Sequence, residues 1–317
     1  MVNYRRLEQS SIYLSLWTNL SIAVFGISFG LWIRSDAVML DGFFNLVNFF
    51  MAIATLWITR LLQKPENNAF NFGYAGFAPL LNLCKGLLVF GVSIFAFAGS
   101  VGSLLSGGKE TKAGIAILYA AIAATTCLIV ALCQRNLAKK SNSPIVKVDA
   151  DNWLINGAIG LSVGVAFALA TWLQTTPLKG WVPYADPTIV IVLVVLAIPI
   201  PIKVILTSFK QLMLGTPAPI IQNRIKSLIQ ETIQNFPCEK YVLRMTEAGQ
   251  VLYLHFYWLF PITYQATPIQ EIDQIRESII SVLHQEFPDM IIDILFTQDS
   301  VWFSKMNEQR GIEINHL

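Results

Sequence analysis

Asp41, Asn45 and Asn48 fall on one stripe of an otherwise apolar, membrane-length segment, and Asp149, Asn152 and Asn156 fall on one stripe of another. Spacings of three, four and seven bring side chains to the same face of a helix with 3.6 residues per turn. Carboxylates and amides at membrane depth are costly unless they meet a partner, a cavity or an ion. Their chemistry is that of oxygen donors: two carboxylates nearly balance one divalent cation, and protonating either releases it. The pattern points to a polar site between two membrane helices, as a carrier requires. Asparagines in membrane helices also hydrogen-bond across interfaces, at about 0.5–2 kcal/mol each, so packing is the competing reading of the same stripes.

The elements that must position these residues follow from the composition. Hydrophobic residues make up 54% of the chain and charged residues 13%, against roughly a quarter charged in ordinary soluble domains. Charge-free windows run over 9–33, 42–59, 86–108, 113–134, 152–178 and 187–202, and most match the roughly 20 residues that span a bilayer core. Six transmembrane helices are expected. The first lacks a short apolar core with a small-residue cleavage site, so it is read as a retained helix rather than a signal peptide.

Arg5, Arg6, Arg60, Lys64, Arg135, Lys139, Lys140 and Lys147 lie in loops on one side, and Arg34, Lys109, Lys112 and Lys179 on the other. That excess puts both termini in the cytoplasm by the positive-inside rule, with the plasma (inner) membrane the expected location. A net charge of +2, concentrated in loops, gives no reason to expect nucleic acid. Cys84, Cys127, Cys133 and Cys238 have no CxxC spacing and read as buried apolar residues rather than ligands or disulfides.

Past Leu214 the texture changes: twelve of the 20 acidic residues follow that point, and Gly215, Pro217 and Pro219 punctuate the junction. Apolar positions at helical spacing (Ile221, Ile225, Ile229, Ile233) predict a helix over 220–236, and 241–245 and 251–259 predict strands joined at Ala248 and Gly249. Thr267, Pro268 and Gln270 signal the start of a helix with the stripe Ile272, Ile275, Ile279 and Leu283, and 290–296 reads as a last strand. The expected fold is an all-α six-helix transmembrane bundle over 1–213, an α-β-β-α-β domain of the α+β class over 214–300, and a polar C-terminal tail over 301–317, read as loose from Ser304 onward.

Several segments together carry a resemblance. "SDAVMLDG" opens the second helix, "FNFGYAGFAPLLNLCKGLL" leads into the third, "VDADNWLINGAIGLSVGVAF" lies at the fifth and "YADPTIVIVLVVL" at the sixth. In that order, ahead of an α-β-β-α-β domain, they resemble the cation diffusion facilitator, or cation efflux, family. The resemblance implies a homodimeric antiporter that expels divalent metal ions in exchange for protons. It further implies a transport site between helices two and five and a dimer-forming, ferredoxin-like cytoplasmic domain.

The family's site takes two residues four apart on helix two, commonly Asp and Asp, and two four apart on helix five, commonly His and Asp. Those positions fall on Asp41 and Asn45, and on Asn152 and Asn156, so only one of the four is ionisable. Asp149 and Asn48 extend the stripes and are read as further oxygen donors, Asp149 as the fifth contributor. The charged residues often found at the start of the third helix are replaced by Gly76 and Ala78. Lys85 remains deeper, either snorkelling to the interface or replacing missing charge beside Asp41.

Zinc favours nitrogen and sulfur ligands, whereas amides and carboxylates suit harder ions. His255, His284 and His316 all lie outside the spans, so manganese, iron or a similar ion is favoured over zinc as the transported species. His255, Asp293 and Asp299 are candidates for a cytoplasmic metal site, the alternative being a structural strand histidine. No resident cofactor and no catalytic group are expected. Three functions stand: a proton-coupled exporter, a transport-inactive or regulatory homologue with a degenerate site, and, last, an intramembrane enzyme, since the spans hold no Ser/His, Cys/His or HExxH arrangement.

Overall fold

The computed structural model describes residues 2–62, 64–65, 67–109, 113–141, 144–177, 179–249, 251–265, 269–307 and 315–316. They form two compact units, Met1–Leu61 with Leu81–Ile205, and Leu62–Leu80 with Leu206–Leu317.

The first unit is built from helices α1 (Val2–Ile33), α2 (Asp36–Leu62), α3 (Phe77–Leu105), α4 (Ala113–Ser141), α5 (Pro144–Leu173) and α6 (Ala185–Ala197), with a 3-10 segment at Lys179–Tyr184. Among the described residues six helical spans are long and apolar enough to cross a membrane, as the charge-free windows predict. The sixth is broken: α6 stops at Ala197 and α7 (Pro199–Leu212) restarts beyond Ile198, because the rings of Pro199 and Pro201 cannot extend the preceding helical ladder. Large apolar side chains such as Trp17, Trp57, Phe95, Leu161 and Trp172 point outward, the surface that lipid chains accept.

Small residues set the helix contacts. Gly157, Gly160 and Gly164 of α5 lie over Cys127, Ala124 and Ala120 of α4, where an added Cβ would meet those side chains at 3.2, 3.7 and 3.1 Å. This is the small-xxx-small packing expected where no hydrophobic force drives helices together. At Gly26 of α1 an added Cβ would lie 2.9 Å from the Gly42 Cα of α2, so these backbones touch. The turn between the two helices places Arg34 at φ +58°, and the Ser35 hydroxyl caps α2 by accepting from the Val38 N–H.

The second unit holds α8 (Pro219–Ile233), β1 (Lys240–Ala248), β2 (Val251–Leu259), α9 (Ile269–Glu286), β3 (Ile291–Thr297), α10 (Ser300–Asn307) and β4 (Asn315–His316). The sheet order is β3-β2-β1-β4. β1 and β2 form an antiparallel hairpin with Arg244 opposite His255, turned at Gly249, whose φ of +65° suits glycine. β3 runs parallel to β2, with α9 as the crossover. The stripes Ile225, Ile229, Ile233 and Ile275, Ile279, Leu283 pack with Leu254, Phe256 and Trp258 against one sheet face.

The tail differs from its expectation. Asp299 caps α10 through the Val301 and Trp302 N–H groups, and Phe303, 1% exposed, packs with Val242, Tyr257 and Leu259 on the opposite sheet face. The α2–α3 loop belongs to this unit too: the Tyr253 hydroxyl donates to the Phe72 carbonyl at 3.1 Å, and Gly249 lies against Ala75, Ala78 and Pro79. The expected helix-start residues Thr267 and Pro268, and tail residues 308–314, lie outside the described residues.

Candidate functional site

On α2 the predicted pair comes together. The Asn45 amide, 8% exposed, donates to the Asp41 backbone carbonyl at 2.8 Å and reaches the Asp41 Oδ1 only at 3.5 Å, the weak limit of a hydrogen bond. Oδ2 is strongly held: the Tyr119 hydroxyl of α4 donates to it at 2.7 Å. Tyr119 is buried and fixed by stacking on Phe25 and Phe29, with ring centroids 5.4 and 5.8 Å away. Asn48, one turn on, is partly buried.

Asp149 has other neighbours. Its Oδ2 accepts from Ser15 of α1 at 2.6 Å and from Gln134 of α4 at 2.7 Å. Ser15 also accepts from Gln134 at 2.6 Å and from Trp153 at 2.9 Å, so the net ties α1, α4 and α5 together. Lys85 of α3 is exposed. Asn152 and Asn156 are exposed on α5, with no hydrogen bond among the described residues. Thus the structure pairs Asp41 with Asn45 and gives Asp149 a separate network.

A third carboxylate carries a role that sequence spacing does not reveal. Asp186 of α6, 1% exposed, accepts from the Ser35 hydroxyl at 2.6 Å, the Asp36 N–H at 2.8 Å and the Ala37 N–H at 3.3 Å. The two N–H groups are orphan donors of the α2 N-terminus, where negative charge is also favoured by the helix dipole. Lys109 pairs with Asp36 at the same end, and its N–H bonds the Pro183 carbonyl. The register of α2, and with it the position of Asp41, is held from α6 and from the α3–α4 turn.

Among the described residues no group of three His, Cys, Asp or Glu side chains converges as a metal cage. In the second unit His255 meets Asp293 at 3.3 Å across neighbouring strands, both exposed, whereas Asp299 is engaged as a helix cap and His284 bonds the Met290 carbonyl. All four cysteines are free. Cys127 is buried, but Cys84 and Cys133 are exposed rather than buried as expected. Burial, aided by the Glu239 charge, pushes the Cys238 thiol up to about 12, which keeps it protonated at neutral pH.

The Cation efflux transmembrane domain family matches residues 12–213, nearly the whole of the six-span region. The chain belongs to the cation efflux family. Proteins named Cation-efflux pump FieF from Citrobacter koseri, Salmonella arizonae and Salmonella newport are each 24% identical to it over 127 residues. The match spans 39% of this chain and 42% of the length of those relatives.

Proposed function

We propose that the chain is a divalent cation transporter that exchanges the ion for protons, with manganese, iron or a similar hard ion as cargo. Asp41 is the charged ligand, Asn45, Asn152 and Asn156 supply amide oxygens, and Asp149 contributes from the cytoplasmic end of α5. The observation that carries the reading is the Asp41–Asn45 pair, a carboxylate and an amide inside the family's matched region with one carboxylate oxygen weakly bound. An oxygen-only set suits such ions better than zinc. Proton coupling requires no further group: the carboxylate that binds the ion also binds the proton that displaces it.

Exposure of Asn152 and Asn156 favours a second reading, a family member whose site no longer transports. Growth separates the two. Cells stripped of their own exporters should tolerate added manganese or iron when they express this chain and not when they express Asp41→Asn; equal sensitivity of both would support the inactive homologue. The proposal also puts both termini in the cytoplasm and two copies in the working unit. Single cysteines at Lys139 and Lys179 should label from opposite sides, and light scattering in mild detergent should return twice the chain mass.

A further inference from the structure

The Asp41 carboxylate is unevenly occupied. A hydroxyl at 2.7 Å from Oδ2 is a charge-assisted hydrogen bond near its optimum length, whereas the Asn45 contact to Oδ1 at 3.5 Å contributes little. Tyr119 cannot easily turn away, because its ring stacks on both Phe25 and Phe29 of α1 and its hydroxyl sits in a space that α1 leaves open. A Cβ at Gly26 would lie 2.6 Å from that hydroxyl.

Building on the site reading above, we propose that Tyr119 is the positioning residue that sets ion choice at Asp41: by holding Oδ2 it leaves Oδ1 as the single coordinating atom. One-oxygen coordination suits small ions that demand octahedral geometry, such as manganese and magnesium. Calcium is larger and accepts bidentate carboxylates in flexible shells of six to eight oxygens. Removing the hydroxyl frees Oδ2, allows two-oxygen binding, and admits calcium. The phenol belongs to a helix outside the α2 and α5 pair, so its contribution is invisible to the spacing of the stripes.

The test uses the full chain in proteoliposomes, with manganese uptake measured against calcium as competitor. Tyr119→Phe keeps the ring stack, so the maximal rate should hold while the half-saturating manganese concentration rises by about 10- to 100-fold, the usual effect of losing a hydrogen bond to a metal ligand. Calcium, weak against the parent, should inhibit the variant at concentrations lower by about 10-fold. Phe29→Leu removes one of the two rings that hold the phenol and should shift the calcium-to-manganese ratio in the same direction, which keeps the test open if Tyr119→Phe inserts poorly. An unchanged ratio in both variants, or an equal loss for both ions, makes Tyr119 a packing residue and overturns the proposal. Asp41→Asn run alongside distinguishes the levels: if it transports like the parent, the site reading itself fails.

Discussion

Around Asp41, one donor from α4 takes one carboxylate oxygen and an amide on the same helix stands by. Around Asp149, two donors from two other helices converge on a single oxygen, and Trp153 closes the net through Ser15. The two stripes look alike in sequence, each an aspartate followed by two asparagines at helical spacing. In the structure the Asp41 carboxylate is held from one other helix, and the Asp149 carboxylate is tied into a net across three. Each carboxylate keeps its Oδ1 free of a strong bond, but only that of Asp149 joins three helices and so stabilises their packing whether or not an ion is present.

The largest effect should come from Asp41→Asn. Even at an effective dielectric of about 20, unit charges about 4 Å apart interact by about 4 kcal/mol, more than the roughly 2.8 kcal/mol of a hundredfold change. Manganese uptake should fall at least about a hundredfold, with insertion intact because a neutral amide is easier to bury. Asn152→His comes next: an added imidazole should raise zinc uptake relative to manganese by about tenfold, as isotope uptake would show, and an unmoved ratio would remove that position from the site.

Asp149→Asn should cost only a few-fold in uptake, since its carbonyl still accepts from Ser15 and Gln134. A collapse as deep as that of Asp41→Asn would erase the distinction between the stripes. Asp149→Ala strands those two donors and should lower stability by about 1–3 kcal/mol, seen as a lower melting temperature in detergent. Ser15→Ala, which removes one hydroxyl from the net, should cost about 1 kcal/mol and leave the manganese half-saturation unchanged.

Long elements were legible because their pattern is dense. Charge-free windows of membrane length announce the spans, and the isoleucine stripes of α8 and α9 announce the faces that cover the sheet. The α10 helix escaped because it is eight residues long and its apolar Val301, Trp302 and Phe303 sit in a polar stretch. Asp299 followed by that triplet was the available capping signal. At the site, Asp41 and Asn45 stood out as polar groups in apolar sequence. Tyr119 did not, because a tyrosine in a membrane helix reads as packing until its hydroxyl is seen to meet a carboxylate 78 residues earlier. Asp186 was visible only as part of a motif; its partners at the α2 N-terminus lie about 150 positions away, beyond any periodicity.

The central claim is exchange of a hard divalent ion for protons at Asp41. It is tested most directly by loading inverted vesicles with acid and a pH-reporting dye, then adding manganese outside. The account predicts that manganese enters saturably while the interior turns alkaline, and that Asp41→Asn abolishes both signals together. Manganese entry without proton exit, or undiminished exchange in Asp41→Asn vesicles, would contradict it.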